Sequence, residues 1–160
     1  MRLIYHAALG ALATVTVITC TTPAGAEFPK DDKQALGTLA AQWAINGGLP
    51  DAQRVPSASD LMVADVNLPK GVSFDLPGRK VVVMSLVLIQ AHADIKGDAV
   101  YLRLGPFTGN AQRANVPVAL LWAASVKNPA AAVRGSGARL ELEKRDGQWQ
   151  VVNVTDRWAN

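Results

Sequence analysis

The chain has one cysteine, Cys20, and two histidines, His6 and His92, among its 160 residues. One cysteine cannot form an internal disulfide, and so few soft ligands exclude a Cys/His zinc site of ordinary composition. Charge of one sign is scarce as well. Sixteen Lys and Arg stand against thirteen Asp and Glu, interspersed and without a basic run, so neither nucleic acid nor anionic lipid is an expected partner. No Gly-x-Ser-x-Gly elbow is present, and no Gly-Lys-Ser/Thr phosphate loop. No cofactor is expected.

What is present begins with an export signal. Arg2 precedes the apolar stretch Ala7 to Ile18, Pro23 breaks it, and Ala24-Gly25-Ala26 places small residues where a signal peptidase reads. Cleavage before Glu27 leaves residues 27–160 as a single periplasmic or secreted domain, with 15 basic and 13 acidic residues once Arg2 is removed. A spanning anchor is disfavoured because the stretch is interrupted by threonines and falls short of about 20 apolar residues. Val17-Ile18-Thr19-Cys20 also has the outline of a lipoprotein signal, and lipidation at Cys20 would tether the domain to a membrane. Under cleavage before Glu27 the mature protein carries no cysteine.

The clearest local signal lies at 27–50. Asp31 can cap a helix with Gln34 three residues on, and Leu36, Leu39, Ala40 and Trp43 share one face. Asn46-Gly47-Gly48 and Pro50 end it. From 51 to 79 prolines divide the chain into short pieces; Leu61 to Val66 reads as a strand or a short helix, and Leu76-Pro77-Gly78-Arg79 as a turn. Val81 to Ile89 is apolar on both alternating sets and predicts a doubly buried strand. Ile95-Lys96-Gly97-Asp98 then reads as a hairpin turn into a strand over Ala99 to Leu104. A long loop is expected at 105–115, a strand at Val116 to Val126, and a second loop at 127–137. A tight hairpin closes the chain, with Asp146-Gly147 between two alternating segments. The fold class is α+β: an N-terminal amphipathic helix packed on a curved, mostly antiparallel sheet of four to six strands.

Candidate chemistry is sparse. His92 and Asp94, on one side of the expected strand, could form a general base with its orienting carboxylate. Arg134, Gly135, Gly137 and Arg139 make a glycine-rich, arginine-flanked segment that could bind an anion, with a plain inter-strand loop as the simpler account. Tyr101 and Trp122 could line a concave apolar site, with core filling as the ordinary alternative. Glu141 and Glu143 alternate with leucines and mark a solvated strand face.

An opening amphipathic helix followed by a long meander ending in Asp146-Gly147-Gln148-Trp149-Gln150-Val151-Val152 resembles the nuclear-transport-factor-2-like (NTF2-like) superfamily. The resemblance implies a helix packed into a cone of bent strands, with a mouth near His92, Asp94, Tyr101 and Trp122. It also implies a range of roles from ligand binding and isomerisation to non-catalytic assembly. The expectation is a non-enzymatic binding or assembly domain for an envelope protein or a small apolar ligand. A small cofactor-free enzyme using His92, and an envelope lipoprotein anchored at Cys20, are the alternatives.

Overall fold

In a computed structural model of the protein the described residues are 27–55, 60–128 and 134–160. The expected signal segment and Cys20 lie outside them. Helix α1 spans Lys30–Trp43 and opens after Pro29, whose carbonyl accepts the Lys33 N–H at 2.9 Å. Asp31 is therefore not the cap that the sequence suggested. It sits with Asp32 in the first turn, where acidic groups meet the positive end of the helix dipole. The buried face is narrower in side chain than expected: Leu36, Gly37, Ala40, Ala41 and Ala44 pack inward, while Leu39 and Trp43 lie half-buried at the margin. Small residues let the helix approach the sheet closely, and a Cβ on Gly37 would stand 2.8 Å from the Phe74 ring.

The sheet has seven strands: β1 (Leu61–Ala64), β2 (Val81–Met84), β3 (Ala99–Leu104), β4 (Thr108–Gly109), β5 (Arg113–Ala123), β6 (Gly135–Arg145) and β7 (Gln148–Ala159). The order is β2-β1-β3-β5-β6-β7, with β4 beside β5. β1 runs parallel to both β2 and β3, and the remaining pairs are antiparallel. The α+β class holds, on a mixed, open sheet of seven strands rather than the four to six expected.

The largest departure from expectation is at 85–97. The apolar run is a strand only as far as Met84. At Ser85 the backbone turns, the Ser85 hydroxyl accepts the Leu88 N–H at 3.3 Å, and helix α2 (Leu86–Lys96) begins. Gly97, at φ 102°, closes it in a conformation that a side chain would strain, so 95–98 is a helix end and not a hairpin turn. Because β2 and β3 flank β1 and run the same way, α2 is the crossover that links them. It packs against β3, β1 and β5 on the face opposite α1.

The sheet is thus covered on two sides by unequal cores. On the α1 side, Leu61, Val63, Leu102, Leu104, Val116, Val118, Leu120, Leu140 and Leu142 form the main core. On the α2 side a smaller cluster gathers Ala64, Ile89, Ala93, Ala99 and Ala123, with Met62, Met84 and Tyr101 against it. The expected 105–115 loop is a compact hairpin: β4 pairs with Ala114 and Asn115, and Asn110 Oδ1 accepts the N–H groups of Gln112 and Arg113, both at 2.9 Å.

The terminal hairpin forms as the sequence indicated. Arg145 pairs with Gln148 across Asp146-Gly147, both at positive φ (51° and 79°), the turn whose twist suits paired strands. β7 is the long outer strand, and it slips register twice against β6, beside Val152 and again at Asp156, whose φ is 49°.

Candidate functional site

Helix α2 is apolar on two opposite faces, with Gln90 and Asp94 on one flank and His92 and Lys96 on the other. Ile89 and Ala93 are buried against the sheet, and Val87 (77% exposed), Leu88 (57%) and Ile95 (73%) face away from it. With exposed Ala91 they form one stripe, since Val87, Ala91 and Ile95 follow at i, i+4 and i+8 and Leu88 lies beside them. Val126, 72% exposed, extends the surface: its N–H donates to Asp94 Oδ1 at 2.9 Å, which fixes the turn after β5 against the helix. A helix with an apolar stripe on each of two opposite faces normally has both covered.

Beside α2 runs a groove of about 640 Å³, within the size of ordinary ligand sites. Its floor is the back of the sheet at Met62, Val82, Met84 and Ala99, and its walls include His92 and Lys96 of α2. Asp60 and Asp98 stand at its rim. Both acids are occupied. Asp60 pairs with Lys80 at 3.1 Å, and Asp98 accepts the Ser125 N–H at 2.8 Å and the Asn128 amide at 3.0 Å. Those bonds, the Ser125 N–H first, hold the Asp98 carboxyl below its ordinary value.

No known protein family, characterised protein or solved structure gives a match to this chain. What the site can do must therefore be read from its own residues.

The residues singled out from sequence are dispersed. His92 does line the groove. Asp94 does not orient it: two residues apart on a helix, they point about 200° apart, and Asp94 Oδ1 is held by the Val126 N–H and by the Gln90 amide at 3.0 Å. The dyad required a strand, and Ser85 capping removed the strand. Tyr101 packs with the α2-side cluster, whereas Trp122 pairs with Val100, whose side chain joins the opposite core. Strand alternation puts Tyr101 and Trp122 on different faces, so they line no common pocket.

The anion-binding segment is also corrected. Gly135, Gly137 and Arg139 belong to β6, paired to Leu121, Ala119 and Pro117 of β5, so their backbone groups serve the ladder instead of converging on a ligand. Arg134 gives its carbonyl to the Trp122 N–H at 3.1 Å, and Arg139 pairs with Asp156 at 3.0 Å. The glycines are there for space: a Cβ on Gly137 would lie 2.5 Å from the Trp158 ring. Among the described residues no group of three or more His, Cys, Asp or Glu side chains could hold a metal ion, and no helix is long and apolar enough to cross a membrane.

Sequence reasoning missed the exposed stripe Val87, Leu88, Ala91 and Ile95, and the groove floor Met62, Val82 and Met84. The signal was available in Ser85 and Gly97, a cap and a stop twelve residues apart, had they been weighed against the β-branched run.

Proposed function

We propose that this is an exported, non-enzymatic binding or assembly domain that receives an apolar surface of an envelope partner protein on α2 and the groove beside it. The observation that carries the reading is the bare stripe of Val87, Leu88 and Ile95 on a helix whose other side is already in a core. The surface suits a macromolecule better than a small ligand alone, because stripe and groove lie on one helix and a ligand within the groove would leave the stripe uncovered. Export rests on the leader at 1–26 with cleavage before Glu27, and a tether at Cys20 is the alternative; intact mass of the exported protein separates them. Kinship with NTF2-like domains belongs to the same proposal, supported by α1 against the long β5–β7 meander.

A photo-crosslinking residue at position 87 or 95 of the full chain, in cells, is expected to give one dominant protein adduct. Leu88→Lys should abolish it, and the same probe at exposed Gln148 should give none. Adducts with lipid only, or none at all, would overturn the reading. The enzymatic rival has one observation in its favour, that His92 faces the groove. A His92→Ala protein that loses an activity without losing the adduct would favour it.

A further inference from the structure

The sheet ends at β2, and that edge has a specific chemistry. Leu61 N–H donates to the Lys80 carbonyl at 2.8 Å and Asp65 N–H to the Met84 carbonyl at 3.0 Å, so the even-numbered residues of this strand direct their backbone groups toward β1. Alternation then turns the N–H and C=O groups of Val81 and Val83 outward, where no described residue meets them. The side chains divide the other way. Val82 and Met84 line the groove, and Val81 and Val83 pack at the margin of the main core. Among the described residues, an unpaired polar backbone edge thus runs along an apolar floor that continues on both faces.

The geometry points to β2 as a strand-addition site for an extended apolar segment of a partner protein, whose large side chains on one face fill the groove beside α2. This deepens the partner-binding reading and rests on it. Only a polypeptide main chain supplies alternating donors and acceptors at the spacing of Val81 and Val83, which separates this occupant from a lipid or a small apolar molecule. A second copy fits poorly. α2 packs chiefly over β3, with β1 and β5 on either side of it. Two copies joined through β2 would hold their α2 helices about 24 Å apart, five strand spacings of roughly 4.8 Å each. That is well over twice the distance of packed helices, so the groove would stay open. The other edge does not compete, because β7 is bent by two register shifts.

The test uses the full-length exported protein after processing, labelled for NMR, and a synthetic capped heptapeptide of alternating leucine and valine between two lysines. Its twin carries N-methyl groups on alternate amides, which keeps the apolar surface and removes main-chain donors. The expected result is slowed amide exchange at Val81 and Val83, shifted methyls at Met62 and Met84, and binding at least tenfold weaker for the twin, as loss of two hydrogen bonds of about 1 kcal/mol each requires. Val83→Pro, whose outward N–H is dispensable on an edge strand, should give the same loss with an unchanged far-ultraviolet spectrum. Equal binding of both peptides would overturn strand addition and leave the partner-binding reading standing. Binding of neither would overturn it too, while crosslinking from α2 decides the broader reading separately. A concentration-dependent dimer broken by Val83→Pro would assign the edge to a second copy and overturn the inference.

Discussion

Asp32, in the first turn of α1, accepts the indole N–H of Trp149 at 2.9 Å, across 117 residues of chain. The same Oδ1 takes the Lys144 ammonium at 2.7 Å, Lys144 lies 5.5 Å from the Trp149 ring centre, and Phe28 meets that ring edge-on at 6.0 Å. One carboxylate therefore joins the helix to both strands of the terminal hairpin. Asp32→Ala leaves a buried indole donor and a half-buried ammonium without their acceptor, at a cost of about 2 kcal/mol. Asp32→Asn keeps an acceptor for Trp149 and should cost less. Urea unfolding of the two variants checks the order, and equal losses would contradict it.

Acid should act through the same group. The hydrogen bond from Lys144, then that from Trp149, holds the Asp32 carboxyl below its ordinary value, and Glu143 is lowered likewise by Arg145 and Arg113. A carboxyl lowered by folding contributes stability that is complete above its unfolded value, about 4, and is lost as pH falls through the lower folded value. The expected outcome is a decline in unfolding free energy below about pH 4 that is shallower in Asp32→Asn. Parallel curves for the two proteins would refute it.

Ser136 lies fully buried on β6, and its hydroxyl finds no hydrogen-bond partner among the described residues. An unpaired buried hydroxyl is unfavourable, so Ser136→Ala should be neutral or stabilising by up to about 1 kcal/mol. A loss above that, measured by thermal or urea unfolding, would mean that the hydroxyl is paired in solution.

Gly137 and Trp158 should be coupled. Gly137→Ala drives a methyl into the indole and should cost about 1 to 3 kcal/mol. In a Trp158→Ala background the same change should cost far less, and a double-mutant cycle with no coupling energy would remove the steric account of this glycine.

Much of the architecture was legible where a local signal and its tertiary use coincide. Asp146-Gly147 demands a tight turn whatever surrounds it, and Leu36 with Ala40 marks a helix face that any sheet would cover. Val87, Leu88 and Ile89 carry no such agreement. Their β-branched, apolar run suits a buried strand, and only Ser85 and Gly97 at its ends argue for a helix. Misreading that run displaced the site as well, because His92 and Asp94 share a side on a strand and oppose each other on a helix. The groove was not legible at all. It arises from Met62, Val82 and Met84, which become neighbours only when β1 and β2 pair in parallel, and no local pattern encodes that pairing.

The two slips in β7 set a limit on growth. A strand pair that lengthens at both ends can recruit copies without end, whereas this sheet has a border in unbroken register at β2 and a buckled one at β7. A segment added at the first, as proposed, would find no matching border on the far side, and growth would stop after a single addition. On the proposed strand addition at β2, Val152 and Asp156 would thereby hold the stoichiometry to one to one without touching the partner.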